Sequence, residues 1–218
     1  MSEIFNIFPT TIYADRIENH FAYKELYYDL YSKYDYEENE RSDVVSEGQV
    51  DVDPLLHLEP TLYPLFGDII SHVKKYVLEV LEYKDIFNYA ITKSWISRAR
   101  DNKEIPWHIH STSHISFVYF LNVPPNSHQT IFNNRENPNG LFLGSNSENT
   151  VDDATMVKKY NDLNSRTFYI NPQEGVVLLF PSNVSHGTKA IDPNFNDERL
   201  AIVGDVNLIL KEQYLSLI

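Results

Sequence analysis

Of the chain's 8 histidines, four fall in two short stretches with the spacing of metal ligands. His108, His110 and His114 lie in Pro106-Trp107-His108-Ile109-His110-Ser111-Thr112-Ser113-His114. His186 closes a second stretch that begins at Gly175 and turns at Phe180-Pro181. On a strand, residues i and i+2 point to one face, so His108 and His110 can reach the same ion. A third ligand must come from a distant strand folded alongside, and His186, following an apolar strand, suits that place. Three protein ligands on one side of a metal leave its other positions to substrate and oxygen. The competing reading makes His108 and His110 exposed loop residues, because HxH is a short motif. Metal binds neutral imidazole, so affinity is expected to fall as pH drops through the imidazole range. His20, His57, His72 and His128 stand singly in polar or helical settings and are read as surface or structural.

Arg199 opens the run Arg199-Leu-Ala-Ile-Val-Gly-Asp-Val-Asn-Leu. Strand alternation gives it two faces. Leu200, Ile202, Val206 and Leu208 share one and can pack on helices. Arg199, Ala201, Val203 and Asp205 share the other, which points into a barrel. An arginine aimed inward needs an anion, and its planar fork matches a carboxylate. Alternatively Arg199 stays in solvent or pairs with Glu198 or Asp205.

These residues need elements to hold them. Phe21 to Tyr34 reads as a moderately amphipathic helix. From Pro60 the apolar residues Leu62, Leu65, Phe66, Ile69, Ile70, Val73, Val77, Val80 and Leu81 recur at helical spacing, predicting a support helix that ends near Lys84. After Tyr89 the period changes to 2. Ala90 to Arg100, Ser116 to Val123, Gln129 to Phe132, Thr167 to Ile170, Gly175 to Phe180 and Arg199 to Leu210 read as strands. Strands after helices, without βαβ alternation, predict α+β with an antiparallel sandwich or barrel. Asp35 to Pro54 reads as acidic loop. Asn133 to Ser165 reads as a long functional or flexible insert, with a helical turn at Met156 to Tyr160.

Composition bounds the rest. The 218 residues carry 18 Lys+Arg against 31 Asp+Glu, a formal charge of −13, which disfavours nucleic acid and anionic membrane as partners. The 42% apolar content excludes a disordered chain, and zero cysteines exclude disulfides, zinc fingers, iron–sulfur clusters and a thiol nucleophile. Any metal site must therefore be histidine and carboxylate. No apolar run is long enough to span a membrane, Met1 to Thr10 lacks a signal peptide's basic and apolar regions, and a cytoplasmic location is expected.

In order and spacing, Trp95, Pro106, His108-Ile109-His110, Ser116-Phe117-Val118-Tyr119-Phe120-Leu121, Pro124, Pro172-Gln-Glu-Gly175, Phe180-Pro181, His186 and Arg199 make one pattern. Through it the chain from Trp95 to Asn207 resembles the iron(II)- and 2-oxoglutarate-dependent oxygenases, in a bacterial and phage subgroup of largely uncharacterised members. Phe8-Pro9-Thr10 is similar to the family's start. The resemblance implies a double-stranded β-helix, the cupin-like jelly roll, with N-terminal helices packed on one sheet. Residues 1–88 would be the helical support and 89–218 the core with its 133–165 insertion, in one integrated domain. It implies Fe(II) held by His108, His110 and His186, with His110 where most relatives carry Asp or Glu. Arg199 would hold the distal carboxylate of 2-oxoglutarate, helped by Tyr119, with Ser97 or Thr188 in reserve.

The implied activity is a hydroxylase-type oxygenase that turns 2-oxoglutarate and O₂ into succinate and CO₂ while attacking a C–H bond of a small-molecule, peptide or protein substrate. Departures from the family pattern are Ala201, where a serine often follows the arginine by two, and Phe117 in place of a glycine. Three neutral histidines also fit a cupin-type dioxygenase that needs no 2-oxoglutarate, with His114 at the usual glutamate position. A jelly-roll binding module without chemistry is the third reading. His114 is read as structural, with a substrate-side acid/base or a spare ligand as alternatives. Arg98 and Arg100 alternate on the strand before the metal motif, either solvated or meeting an anionic substrate.

Overall fold

Aromatic and aliphatic residues at helical spacing build the first part of the chain. In the helix α1 (His20–Lys33), Tyr23 and Tyr27 are buried and Leu26 and Leu30 half-buried, which makes one apolar stripe. The second helix is entered through 3-10 turns at Leu56–Leu58 and Pro60–Leu62. Glu59 caps the latter, its side chain accepting from the Thr61 N–H at 3.3 Å, and Pro60 has no N–H to leave unpaired. α2 (Tyr63–Lys75) buries Leu65, Phe66, Ile69 and Val73. Where a single helix to Lys84 was expected, α2 instead widens into a π turn, Tyr76–Val80. That wider turn lets the consecutive Tyr76 and Val77 both be fully buried, with Tyr76 Oη donating to the Thr11 carbonyl at 2.9 Å.

The remaining elements are antiparallel strands: β1 (Tyr13–Arg16), β2 (Phe87–Arg100), β3 (Ile115–Asn122), β4 (Gln129–Asn133), β5 (Thr167–Ile170), β6 (Val176–Pro181), β7 (Ser185–Lys189) and β8 (Glu198–Leu210). They form a five-stranded sheet in the order β1-β6-β3-β8-β2 and a three-stranded sheet in the order β5-β4-β7. The segment 105–108 lines β7 as an irregular fourth strand through the bridge His108↔His186 and a hydrogen bond from Thr188 N to Ile105 O at 3.0 Å. This is the α+β double-stranded β-helix anticipated from the pattern.

This computed structural model describes residues 3, 9–33, 55–100, 103–133, 158–159, 161 and 163–217. The Asp35 to Pro54 loop lies wholly outside them, as do most of the 133–165 insertion and all but residues 158–159 of its expected turn at Met156 to Tyr160. Two strands were not anticipated. β1 hydrogen-bonds to β6 at the sheet edge, so the N-terminal region contributes a strand as well as helices. β7, Ser-His-Gly-Thr-Lys, has too little apolar residue content to announce itself.

Alternation decides which side chains meet. On the outer face of the large sheet, Phe117, Tyr119 and Leu121 of β3 and Leu200, Ile202 and Val206 of β8 join the residues of α1 and α2 in one core. On the inner face, Val118, Phe120, Phe180 and Ala201 pack with Phe132 of the small sheet. Ser97 opposes Ala201 and Trp95 opposes Val203, so these β2 residues face inward too. Arg98, the alternate residue, is on the helix side and pairs there with Glu198 at 3.3 Å, away from any substrate at the barrel mouth.

Candidate metal centre

Two backbone segments paired side by side deliver the three histidines. The HxH stretch runs from the bridge at His108 to His110, whose N–H donates to the Ser182 carbonyl at 2.9 Å. His186 sits on β7, paired with His108 by reciprocal backbone hydrogen bonds of 3.0 Å each. Gly187 permits this approach, because a Cβ there would meet the Ile105 carbonyl oxygen at 2.5 Å. The ring centroids of His108 and His186 are 4.3 Å apart, and those of His110 lie 5.2 Å and 5.1 Å from them. One ligand atom from each ring lies within 4.8 Å of the other two.

Each ring is turned by a hydrogen bond on its other nitrogen. His108 Nδ1 meets the Pro106 carbonyl at 2.9 Å, His186 Nδ1 meets the Val184 carbonyl at 2.9 Å, and His110 Nδ1 meets Asp205 Oδ1 at 2.5 Å. A carbonyl oxygen only accepts, so Nδ1 of His108 and of His186 carries the proton and Nε2 presents its lone pair. Burial is the main force pushing the His186 imidazole down, to about 3, and burial also lowers His108. Both rings are therefore neutral at ordinary pH, and the expected loss of metal affinity through the usual imidazole range shifts to lower pH for these two. Converging neutral nitrogens on one side suit a divalent first-row metal such as iron(II).

A pocket runs inward from the histidines between the two sheets and ends at Arg199. This guanidinium is 2% exposed, with Nη1 donating to the His128 carbonyl at 3.2 Å and the group lying 5.2 Å from the Phe120 ring centroid. Among the described residues no carboxylate pairs with it, and its Nε has no protein acceptor. The alternative pairings with Glu198 and Asp205 are not made: Glu198 pairs with Arg98, and Asp205 lies at the metal end of the same strand face. A buried cation without a counter-charge is expensive, which makes this end of the pocket a seat for an anion. Thr130 Oγ1, also buried and without a partner among the described residues, lines the pocket with Ser97 and Thr188.

Tyr119, expected beside Arg199, is a correction. It belongs to the outer face of β3, where its hydroxyl meets His20 Nδ1 at 2.6 Å under α1. Tyr119 is three residues from the inward-facing Ser116, an odd interval that reverses the face on a strand. His114 turns away from the other histidines and takes the Leu208 N–H at 3.2 Å. His20 and His128, read only as surface or structural, are both buried, and His128 underlies Arg199. Thr130 and the His110–Asp205 contact were missed. Period-2 alternation before Phe132 could have pointed to Thr130, whereas the Asp205 contact needs the register of β3 on β8.

The chain matches the model of the family described as "Putative 2OG-Fe(II) oxygenase" over residues 93–205, just over half of its length. None of the curated proteins matches it. Among solved structures, it is similar to AviO1 from Streptomyces viridochromogenes Tue57, at 13% identity over 91% of this chain and 90% of that chain, with a TM-score of 0.55. A Trichoplax adhaerens prolyl hydroxylase in complex with a hypoxia inducible factor peptide fragment aligns at 16% identity over 94% of this chain and 86% of its own, with a TM-score of 0.52. HygX from Streptomyces hygroscopicus, with nickel and 2-oxoglutarate bound, aligns at 12% identity over 91% of this chain and 83% of its own, with a TM-score of 0.50.

Proposed function

Because the chain belongs to this 2OG-Fe(II) oxygenase family, we propose that His108, His110 and His186 hold its iron and that Arg199 holds the distal carboxylate of 2-oxoglutarate. Iron held there would supply the oxidising power together with 2-oxoglutarate and O₂, the keto acid ending as succinate and CO₂. The protein's part is placement. The backbone carbonyls of Pro106 and Val184 hold two Nδ1 protons and so aim two Nε2 lone pairs at one point. Arg199 offers a fork at one end of the pocket, and the Thr130 hydroxyl helps hold the distal carboxylate, with Ser97 and Thr188 beside it. Phe180, Val118 and Val203 line the space between and keep it apolar, which strengthens every charge interaction inside. Trp95, its ring stacked 5.9 Å from His110, stands at the substrate side of the centre.

The observation that carries this reading is the pairing of a three-histidine cluster with a buried, carboxylate-free arginine in one pocket. The arginine also weighs against a three-histidine dioxygenase that needs no 2-oxoglutarate, since such an enzyme has no use for the anion seat. The substrate is a small molecule, a peptide or a protein segment carrying an oxidisable C–H bond. A cysteine-free chain supports a cytoplasmic setting. The test is oxygen uptake coupled to succinate formation by the iron-loaded protein with 2-oxoglutarate. His186→Ala should abolish both, and Arg199→Ala should remove 2-oxoglutarate binding while sparing metal binding. Unchanged turnover in His186→Ala would exclude the assignment.

A further inference from the structure

Three neutral imidazoles leave a divalent ion with its whole charge, in a pocket that also contains an unpaired arginine. One carboxylate faces that deficit. Asp205 is 4% exposed, and its Oδ1 lies 2.5 Å from His110 Nδ1. No lysine or arginine pairs with it among the described residues, and Ser116 Oγ also donates to it at 3.0 Å. Ser116 is joined to Ser182 Oγ at 2.9 Å, and Ser182 receives Ser113 Oγ at 2.8 Å. The carboxylate is thereby fixed to β3, to the turn that leads into His186 and to the segment following His110. Burying a carboxylate in such a place is costly unless its charge is used.

Resting on the three-histidine reading above, we propose that Asp205 is a positioning residue of the metal centre. Its carboxylate holds the His110 Nδ1 proton, turns Nε2 toward the other two rings and places the nearest negative charge one imidazole away from the metal. His108 and His186 are oriented by neutral carbonyls, so His110 is the one ligand whose partner makes it a stronger donor. The centre is thus asymmetric although its ligands are chemically identical.

Cobalt(II), titrated anaerobically into the full-length metal-free protein and followed by its visible ligand-field spectrum, tests this. Asp205→Asn is nearly isosteric and keeps an oxygen for His110, so it removes the charge with least risk to the fold. Asp205→Ala removes both the charge and the hydrogen bond. The expected result is cobalt binding weakened on the order of 10–100-fold, more in Asp205→Ala than in Asp205→Asn, with a changed spectrum and an intact circular dichroism signal. Binding within twofold of the parent protein in Asp205→Asn overturns the proposal, whether or not Asp205→Ala folds. His186→Ala is the control for the underlying reading. If it binds cobalt like the parent protein, the three-histidine site itself is wrong, whereas its loss with an unaffected Asp205→Asn removes only the role of Asp205.

Discussion

Thr130 and Tyr119 make opposite predictions although both carry hydroxyls near the pocket sheet. Thr130 Oγ1 is buried with no protein partner. Such a group costs about 1–3 kcal/mol when left unmade, so Thr130→Val should raise the melting temperature of the ligand-free protein. It should also weaken 2-oxoglutarate, since a hydrogen bond to a charged group is worth about 1.5–3 kcal/mol, or roughly 10–100-fold in affinity. Calorimetric melts with and without 2-oxoglutarate separate the two effects. Tyr119→Phe should do the reverse. It loses the 2.6 Å contact to His20 and so destabilises the fold by about 1 kcal/mol, with no change in 2-oxoglutarate affinity. His108, His110 and Arg199 are legible because their parity along an extended chain can be read directly. Tyr119 offers a hydroxyl of the right kind, but its odd interval from Ser116 puts it on the helix side of β3.

At the scale of elements, the register of the strands decides what the sequence leaves open. The polar sequence of β7 carries no strand pattern, although His186 itself stands out after the apolar strand and the Phe180-Pro181 turn. Gly187 shows why the strand exists: the absent Cβ lets 105–108 lie against it and brings His108 to His186. Gly187→Ala should push these segments apart, costing about 1–3 kcal/mol and weakening metal binding more than any surface change of equal stability cost. A melt and a cobalt titration on the same sample check both. α1 is fastened to the sheet by Glu174, which takes Lys24 Nζ at 2.8 Å, His20 Nε2 at 3.1 Å and Val123 N at 3.1 Å. Burial pushes this carboxyl up, but those three donors outweigh it and hold it below its ordinary value. A depressed carboxyl stabilises the fold above the unfolded carboxylate range and loses that contribution as pH falls from that range through its lower native value. Glu174→Gln should therefore lower the melting temperature at pH 7, and the gap to the parent protein should close on acidification below that native value. A gap that persists unchanged at low pH would count against the ionised staple.

For the molecule as a whole, the family match stops at the barrel while the core does not. Residues 93–205 carry the match, yet the outer face of the large sheet is covered by residues from outside it. Leu62, Leu65, Ile69, Val73, Tyr76 and Val77 are all fully buried, and against them lie Phe117, Tyr119, Leu121 and Ile202. Fully burying one such apolar side chain is worth about 1.5–3 kcal/mol, so the six helical residues together contribute on the order of 10 kcal/mol. That is comparable to the whole stability of a typical domain, about 5–15 kcal/mol. β1 adds a hydrogen-bonded edge to β6, the strand whose inner face carries Phe180 into the pocket. We therefore propose that the support region, 1–88, and the core, 89–218, divide labour within one folding unit, a reading supported by the core they share. A fragment of residues 89–218 should fail to fold cooperatively, bind no cobalt and expose apolar surface to a hydrophobic dye. Adding the 1–88 fragment in trans should restore part of the circular dichroism signal and of the metal binding. A cooperative melt of 89–218 alone, within a few degrees of the full chain, would mean that the helices are an accessory and that the barrel closes its outer face without them.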